Sequence, residues 1–181
     1  MPRFVILLRG VNVGKAKRVP MAEFRSLLEG LGNTSVKTLL NSGNAVVSSA
    51  GRSEVKHAKA ISQALQGQLN IDVPVVVKSA SKFAAAIAQC PAPPPEAEHS
   101  HFLVAFAQDT AALKDLKALE SLVQTPERFA IGNHAAYLHC PSGILESKAA
   151  SALLGKLGRG VTTRNWATVL KLEALANASA G

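Results

Sequence analysis

Five cations and no acid fall within the first 22 residues: Arg3, Arg9, Lys15, Lys17 and Arg18. Four of them lie in Leu7-Leu8-Arg9-Gly10-Val11-Asn12-Val13-Gly14-Lys15-Ala16-Lys17-Arg18-Val19-Pro20, which leaves an apolar run, crosses two glycines and an asparagine, and ends on a proline. Crowded like charges repel and glycine loses much backbone entropy on folding, so such a stretch calls for a local counter-charge. Binding an anion is the chemistry these residue types do: glycine lets backbone amides turn inward and a cation neutralises the charge. The phosphate loop of nucleoside triphosphatases is excluded on two counts. Three residues, not the motif's four, separate Gly10 from Gly14, and Ala16 offers no hydroxyl to magnesium.

Two further groups can join this chemistry. Asn41-Ser42-Gly43-Asn44 has the composition of a hairpin turn, yet a turn needs fewer specific side chains, and Ser42 and Asn44 can donate and accept hydrogen bonds near the basic loop if both lie at one sheet edge. Arg164-Asn165-Trp166 near the C-terminus places an arginine at an expected helix start, where the helix dipole disfavours it and an anionic partner would relieve it. Trp166, the lone tryptophan, reads as a core anchor. Other chemistries find no support. His99, His101, His134, His139 and Cys140 lack a recognisable zinc spacing, no Gly-x-Ser-x-Gly elbow is present, and Asp72, Asp109 and Asp115 do not form a carboxylate pair.

The elements that must position these groups follow from periodicity. With 181 residues, 48% of them hydrophobic, the chain can bury one ordinary core or two small ones, and its net charge of +8 favours anionic partners. No apolar run is long enough to span a membrane and no secretory cleavage pattern opens the chain, so a cytoplasmic protein is expected. Cys90 and Cys140 are too few for a disulfide framework and read as reduced and structural.

Phe4 to Leu8 is a continuous apolar strand; Met21, Phe24, Leu27, Leu28 and Leu31 keep helical spacing; residues 36–40 and 45–48 form a hairpin; Ser53 caps a helix through Leu69; and residues 72–77 return as a strand. That order, βαββαβ, is the signature of a ferredoxin-like plait. A short helix over 81–90 precedes Pro91-Ala92-Pro93-Pro94-Pro95-Glu96-Ala97-Glu98, which prolines bar from helix and interior strand. The pattern then repeats less regularly: a strand over 101–106, one helix from Thr110 to Leu122, strands 128–131 and 135–139, a helix 148–157, a minimal edge strand at Val161-Thr162, and a C-terminal helix capped by Thr163. The reading is α+β: two ferredoxin-like plaits, the second less regular, plus a C-terminal helix. Its domains are residues 1–90, a Pro-rich linker 91–100, and 101–181. In the first plait only Phe4 among the central-strand positions is aromatic, which disfavours base stacking of the RNA-recognition type there; phosphate-led binding needs only cations.

Three segments together resemble the bacterial domain of unknown function 1697 family: Leu8-Arg9-Gly10-Val11-Asn12-Val13-Gly14 with Met21-Ala22-Glu23, Asn41-Ser42-Gly43-Asn44-Ala45-Val46, and Thr163-Arg164-Asn165-Trp166-Ala167-Thr168-Val169 with Lys171-Leu172. The resemblance runs from about residue 5 to residue 176 and implies two plait-like α/β domains, with no settled activity. Two positions depart from the family's usual pattern: Asn41 stands where glutamine is common, and Ala167 where a second asparagine is usual.

The resulting expectation is a cytoplasmic protein binding an anionic ligand, a nucleotide or nucleic-acid backbone, between the basic first loop and the C-terminal helix. Arg9, Lys15, Lys17, Arg18 and Arg164 would neutralise charge, while Asn12, Ser42, Asn44 and Asn165 would orient the ligand. No metal or other cofactor is called for. The alternatives are a metal-independent enzyme on a small polar substrate and a protein-interaction scaffold.

Overall fold

The structure, a computed structural model, describes residues 1–15 and 17–178. The chain divides into two compact units, Met1–Phe83 joined by the segment from Leu172, and Ala84–Lys171. No helix among the described residues is long and apolar enough to cross a membrane.

The first unit runs β1 (Arg3–Leu8), α1 (Met21–Gly30), β2 (Thr34–Leu39), β3 (Asn44–Ser48), α2 (Glu54–Leu69) and β4 (Val75–Ser79), in sheet order β2-β3-β1-β4 with every pair antiparallel. This is the expected plait. Alternation along β1 sends Phe4, Ile6 and Leu8 to the face that meets Phe24 and Leu28 of α1 and Ile61 and Leu65 of α2. Pro20, which precedes α1, accepts the Phe24 amide on its carbonyl, and Ser53 caps α2 by accepting the Lys56 amide at 3.2 Å. The strand expected from residue 72 begins only at Val75, because Pro74 has no amide to give a ladder and its carbonyl is taken by the Arg9 amide at 3.0 Å.

The second unit repeats the plan. After α3 (Ala80–Ala88), which enters it, come β5 (Phe102–Ala107), α4 (Thr110–Asp115), β6 (Arg128–Ile131), β7 (Ala136–His139), α5 (Lys148–Leu154), β8 (Val161–Asn165) and the start of α6 (Trp166–Asn177), which passes to the first unit at Leu172, in sheet order β6-β7-β5-β8. Its core joins Leu103, Ala105 and Leu138 to Leu116, Leu119 and Leu153.

Further local expectations change, and the helix expected over 148–157 ends at Leu154. The helix read over Thr110 to Leu122 is α-helical only to Asp115 and 3₁₀ from Leu116 to Leu122. Leu113, Leu116 and Leu119 are buried as read, but their spacing of three matches the three-residue 3₁₀ turn better than 3.6. The Pro-rich segment ends in a 3₁₀ helix, Glu96–His101, which prolines permit because Pro95 supplies only a carbonyl, accepting the Glu98 amide at 2.9 Å. The last helix starts at Trp166, not after Thr163: pairing of Val104 with Arg164 and Leu103 with Asn165 extends β8, and the Asn165 side-chain oxygen (Oδ1) then accepts the Thr168 amide at 2.9 Å as the cap.

Candidate functional site

The basic loop is tied down by its asparagine. Asn12 sits at φ +56, a left-handed conformation that asparagine tolerates, between Gly10 at +64 and Gly14 at +54. Its side-chain oxygen accepts the Val19 amide at 2.8 Å, while its nitrogen donates to the Val19 carbonyl at 2.8 Å and the Asn41 carbonyl at 2.7 Å. The Asn12 amide adds a bond to the Lys17 carbonyl at 2.9 Å, where Val11 and Lys17 form a short parallel bridge. One amide side chain thus closes the loop on itself and fastens it to the hairpin turn.

That turn abuts the loop from the other side. The Leu8 amide donates to the Gly43 carbonyl at 2.8 Å. Gly43, at φ +75, leaves no room for a side chain: a Cβ there would lie 2.6 Å from Leu8 Cβ and 2.7 Å from Val11 Cγ2. The first loop and Asn41–Asn44 therefore converge at one end of the first sheet. On this frame Lys15, Lys17 and Arg18 are exposed and Arg9 half-buried. Lys17 donates to the Asp72 carbonyl at 2.6 Å, which draws its charge toward β4. Ser42 is half-buried at the turn, whereas Asn44 is buried in β3 and its side-chain nitrogen donates to the Leu39 carbonyl at 3.1 Å.

The C-terminal pair sits differently from its expected place. Arg164 is a buried strand residue of the second unit, donating to Thr162 Oγ1 at 2.9 Å and the Thr163 carbonyl at 2.8 Å. Burial lowers its guanidinium to about 10. Asn165 has its side-chain oxygen in the α6 cap.

Two hollows were not anticipated from the sequence. In the first unit, a space of about 360 Å³ is edged by Arg3, Arg25, Lys37, Ser35 and Ser48, with Arg25 paired to Glu29 at 3.0 Å. In the second, a space of about 410 Å³ lies beside β6, walled by Phe102, Tyr137 and His139 and rimmed by Glu120, Glu127 and Arg128. The signal was present in the alternation: Phe102, Tyr137 and His139 share one face of the two central strands because His139 lies opposite Phe102 in register. Cys140 and Cys90 are buried and unbridged, and burial pushes both thiols up, so both stay protonated near neutral pH. Among the described residues no group of three or more His, Cys, Asp or Glu side chains is placed to hold a metal ion.

The sequence profile of the family described as "Protein of unknown function (DUF1697)" matches residues 1–137. No curated protein matches the sequence. Among solved structures, the chain is similar to conserved bacterial protein SP0830 from Streptococcus pneumoniae, at 23% identity and a TM-score of 0.80, over 97% of this chain and 99% of that one. A likeness at that identity speaks for the fold alone, and its coverage takes in both plaits.

Proposed function

The chain belongs to the DUF1697 family, and from the geometry of its first unit we propose that it binds an anionic ligand, a nucleotide or nucleic-acid backbone, at the loop carrying Arg9, Lys15, Lys17 and Arg18. The observation that supports this reading is the tie that Asn12 makes across the loop: the backbone at Lys17 and Val19, on either side of Arg18, is held by its bonds, so less entropy is lost there when a ligand engages. Arg9, Lys15, Lys17 and Arg18 neutralise charge, Ser42 supplies a hydroxyl at the adjoining turn, and Asn12 and Asn44 act by positioning, since their amides hold backbone carbonyls. The proposal rests on the first unit alone. In the second, Asn165 is engaged in a helix cap and Arg164 is buried within β8.

The test is binding of a fluorescent single-stranded oligonucleotide, and of polyphosphate, followed by anisotropy across a salt series. The charge-reversed pair Lys15→Glu/Arg18→Glu, with an unchanged melting curve, is expected to lose about tenfold or more in affinity at low salt and to show a shallower salt dependence, because fewer counterions are released. Equal affinity and equal salt slope in the folded variant would remove the reading.

A further inference from the structure

We propose that the second unit carries a separate site, in the hollow beside β6, for a small amino-substituted heteroaromatic molecule of the nucleobase or nucleoside class. The space of about 410 Å³ falls within the usual range for small-molecule pockets, roughly 300 to 1,000 Å³. Its walls are rings. Phe102 and His139 lie opposite each other on neighbouring strands with centroids 5.5 Å apart, Tyr137 is 6.5 Å from Phe102, and Trp166 backs Phe102 edge-on at 5.2 Å. Aromatic walls favour a flat, unsaturated occupant.

Those walls are also held still. His139 Nε2 lies 2.5 Å from Glu98 Oε2, which pins the imidazole from the 3₁₀ segment, and the Tyr137 hydroxyl donates to the Ala86 carbonyl. A surface ordered beforehand spares much of the entropy cost of binding. The rim sets the polarity. Glu120 and Glu127 face a single cation there, Arg128, and Glu127 is steadied by the Gln124 amide, which it accepts at 3.0 Å. Carboxylates accept from exocyclic amino groups and ring N–H donors and repel phosphate. This chemistry is opposite to that of the basic loop.

Size and burial select a single small molecule over a nucleic-acid strand. On a plait, aromatic side chains of the central strands are the usual platform for stacked RNA bases. Here Phe102 and Tyr137 are only 2% and 3% exposed, so only a small part of each ring borders the hollow and no run of bases can stack across them.

Adenosine, titrated into ¹⁵N-labelled full-length protein and followed by amide chemical shifts, tests the assignment. Saturable shifts centred on Phe102, Tyr137 and His139 are expected, with uridine, which lacks an exocyclic amine, binding more weakly. Glu120→Gln/Glu127→Gln should weaken adenosine about tenfold through loss of charged acceptors, and Ala130→Trp, which fills the space from β6, should abolish binding. The rim pair keeps the test decisive if the tryptophan variant misfolds. Lys15→Glu/Arg18→Glu should leave adenosine affinity unchanged, so failure here and failure of the basic-loop reading are told apart. Absence of saturable shifts at millimolar adenosine, shifts centred elsewhere, or full affinity in the rim pair would overturn the proposal.

Discussion

Arg3 and Phe102 hold the same place in two sheets of the same strand order. Each begins the strand that lies third in its sheet, and each pairs with the last residue of the neighbouring central strand, Arg3 with Ser48 and Phe102 with His139. Each plait has a hollow at this corner, reaching the edge strand, β2 in one unit and β6 in the other. The fold makes the corner; the residues give it its chemistry. In the first unit it is edged by arginine, lysine and serine, and in the second by aromatic rings with a histidine fixed on a carboxylate. Topology alone therefore carries no function, and two copies of one plan can present corners of quite different chemistry.

The comparison can be broken first at the backbone. Gly158, between α5 and β8, would place a Cβ 1.6 Å from the Leu153 carbonyl oxygen, and Gly43 combines a positive φ with contacts of 2.6 and 2.7 Å. Gly158→Ala is expected to cost about 4 kcal/mol and Gly43→Ala about 3 kcal/mol in urea unfolding. Equal and small costs would mean that neither close approach constrains its unit.

A smaller contrast lies in the helix that follows the third strand of each plait. Ser53 caps α2 in the open, whereas Ser147 caps α5 while buried, accepting the Ala150 amide at 3.0 Å. Ser147→Ala should cost about 2 kcal/mol and Ser53→Ala about 1 kcal/mol, because only the buried site leaves an amide without water to replace the lost acceptor. Thermal melts of the two variants measure the difference.

The smallest contrast near neutral pH is electrostatic, and it grows at the extremes. Burial would raise the Glu54 carboxyl, but the Ser79 amide at 2.7 Å and Lys82 at 3.0 Å outweigh it and hold it below the ordinary 4.5. Stability from Glu54 is thus complete above that value and lost as pH falls through the lower folded one. Tyr137 runs the other way: burial, with Cys90 nearby, pushes its hydroxyl up to about 12, so the unfolded chain releases that proton first and stability falls as pH rises from about 10 toward 12. Glu54→Gln should flatten the acid limb and Tyr137→Phe the alkaline limb. Stability curves unchanged by either substitution would show that these groups do not set the two limbs.

Most of the fold was legible because its elements obey local rules. The apolar run Phe4–Leu8, the 3.6 period from Met21 and the Ser53 cap each needed only neighbouring residues, and both four-stranded sheets follow from the βαββαβ order. The misread boundaries turned on distant partners. Nothing near Thr163 reveals that β8 continues to Asn165; the ladder from β5 does. At the candidate site, the glycines, asparagines and cations of the first loop stood out by type and spacing, but that Asn12 holds Val19 and Asn41 is a matter of which carbonyls the fold brings within reach.

By itself the sequence determined the two-plait plan, the basic focus at its start and the absence of a triphosphatase loop, since periodicity, composition and motif spacing are properties of neighbours along the chain. Only the tertiary structure decided that the hairpin turn fastens the loop, that Arg164 is a buried strand residue, and that Phe102, Tyr137 and His139 wall one hollow. Those facts depend on register and close approach between residues tens of positions apart, where a shift of one residue would turn every side chain to the opposite face.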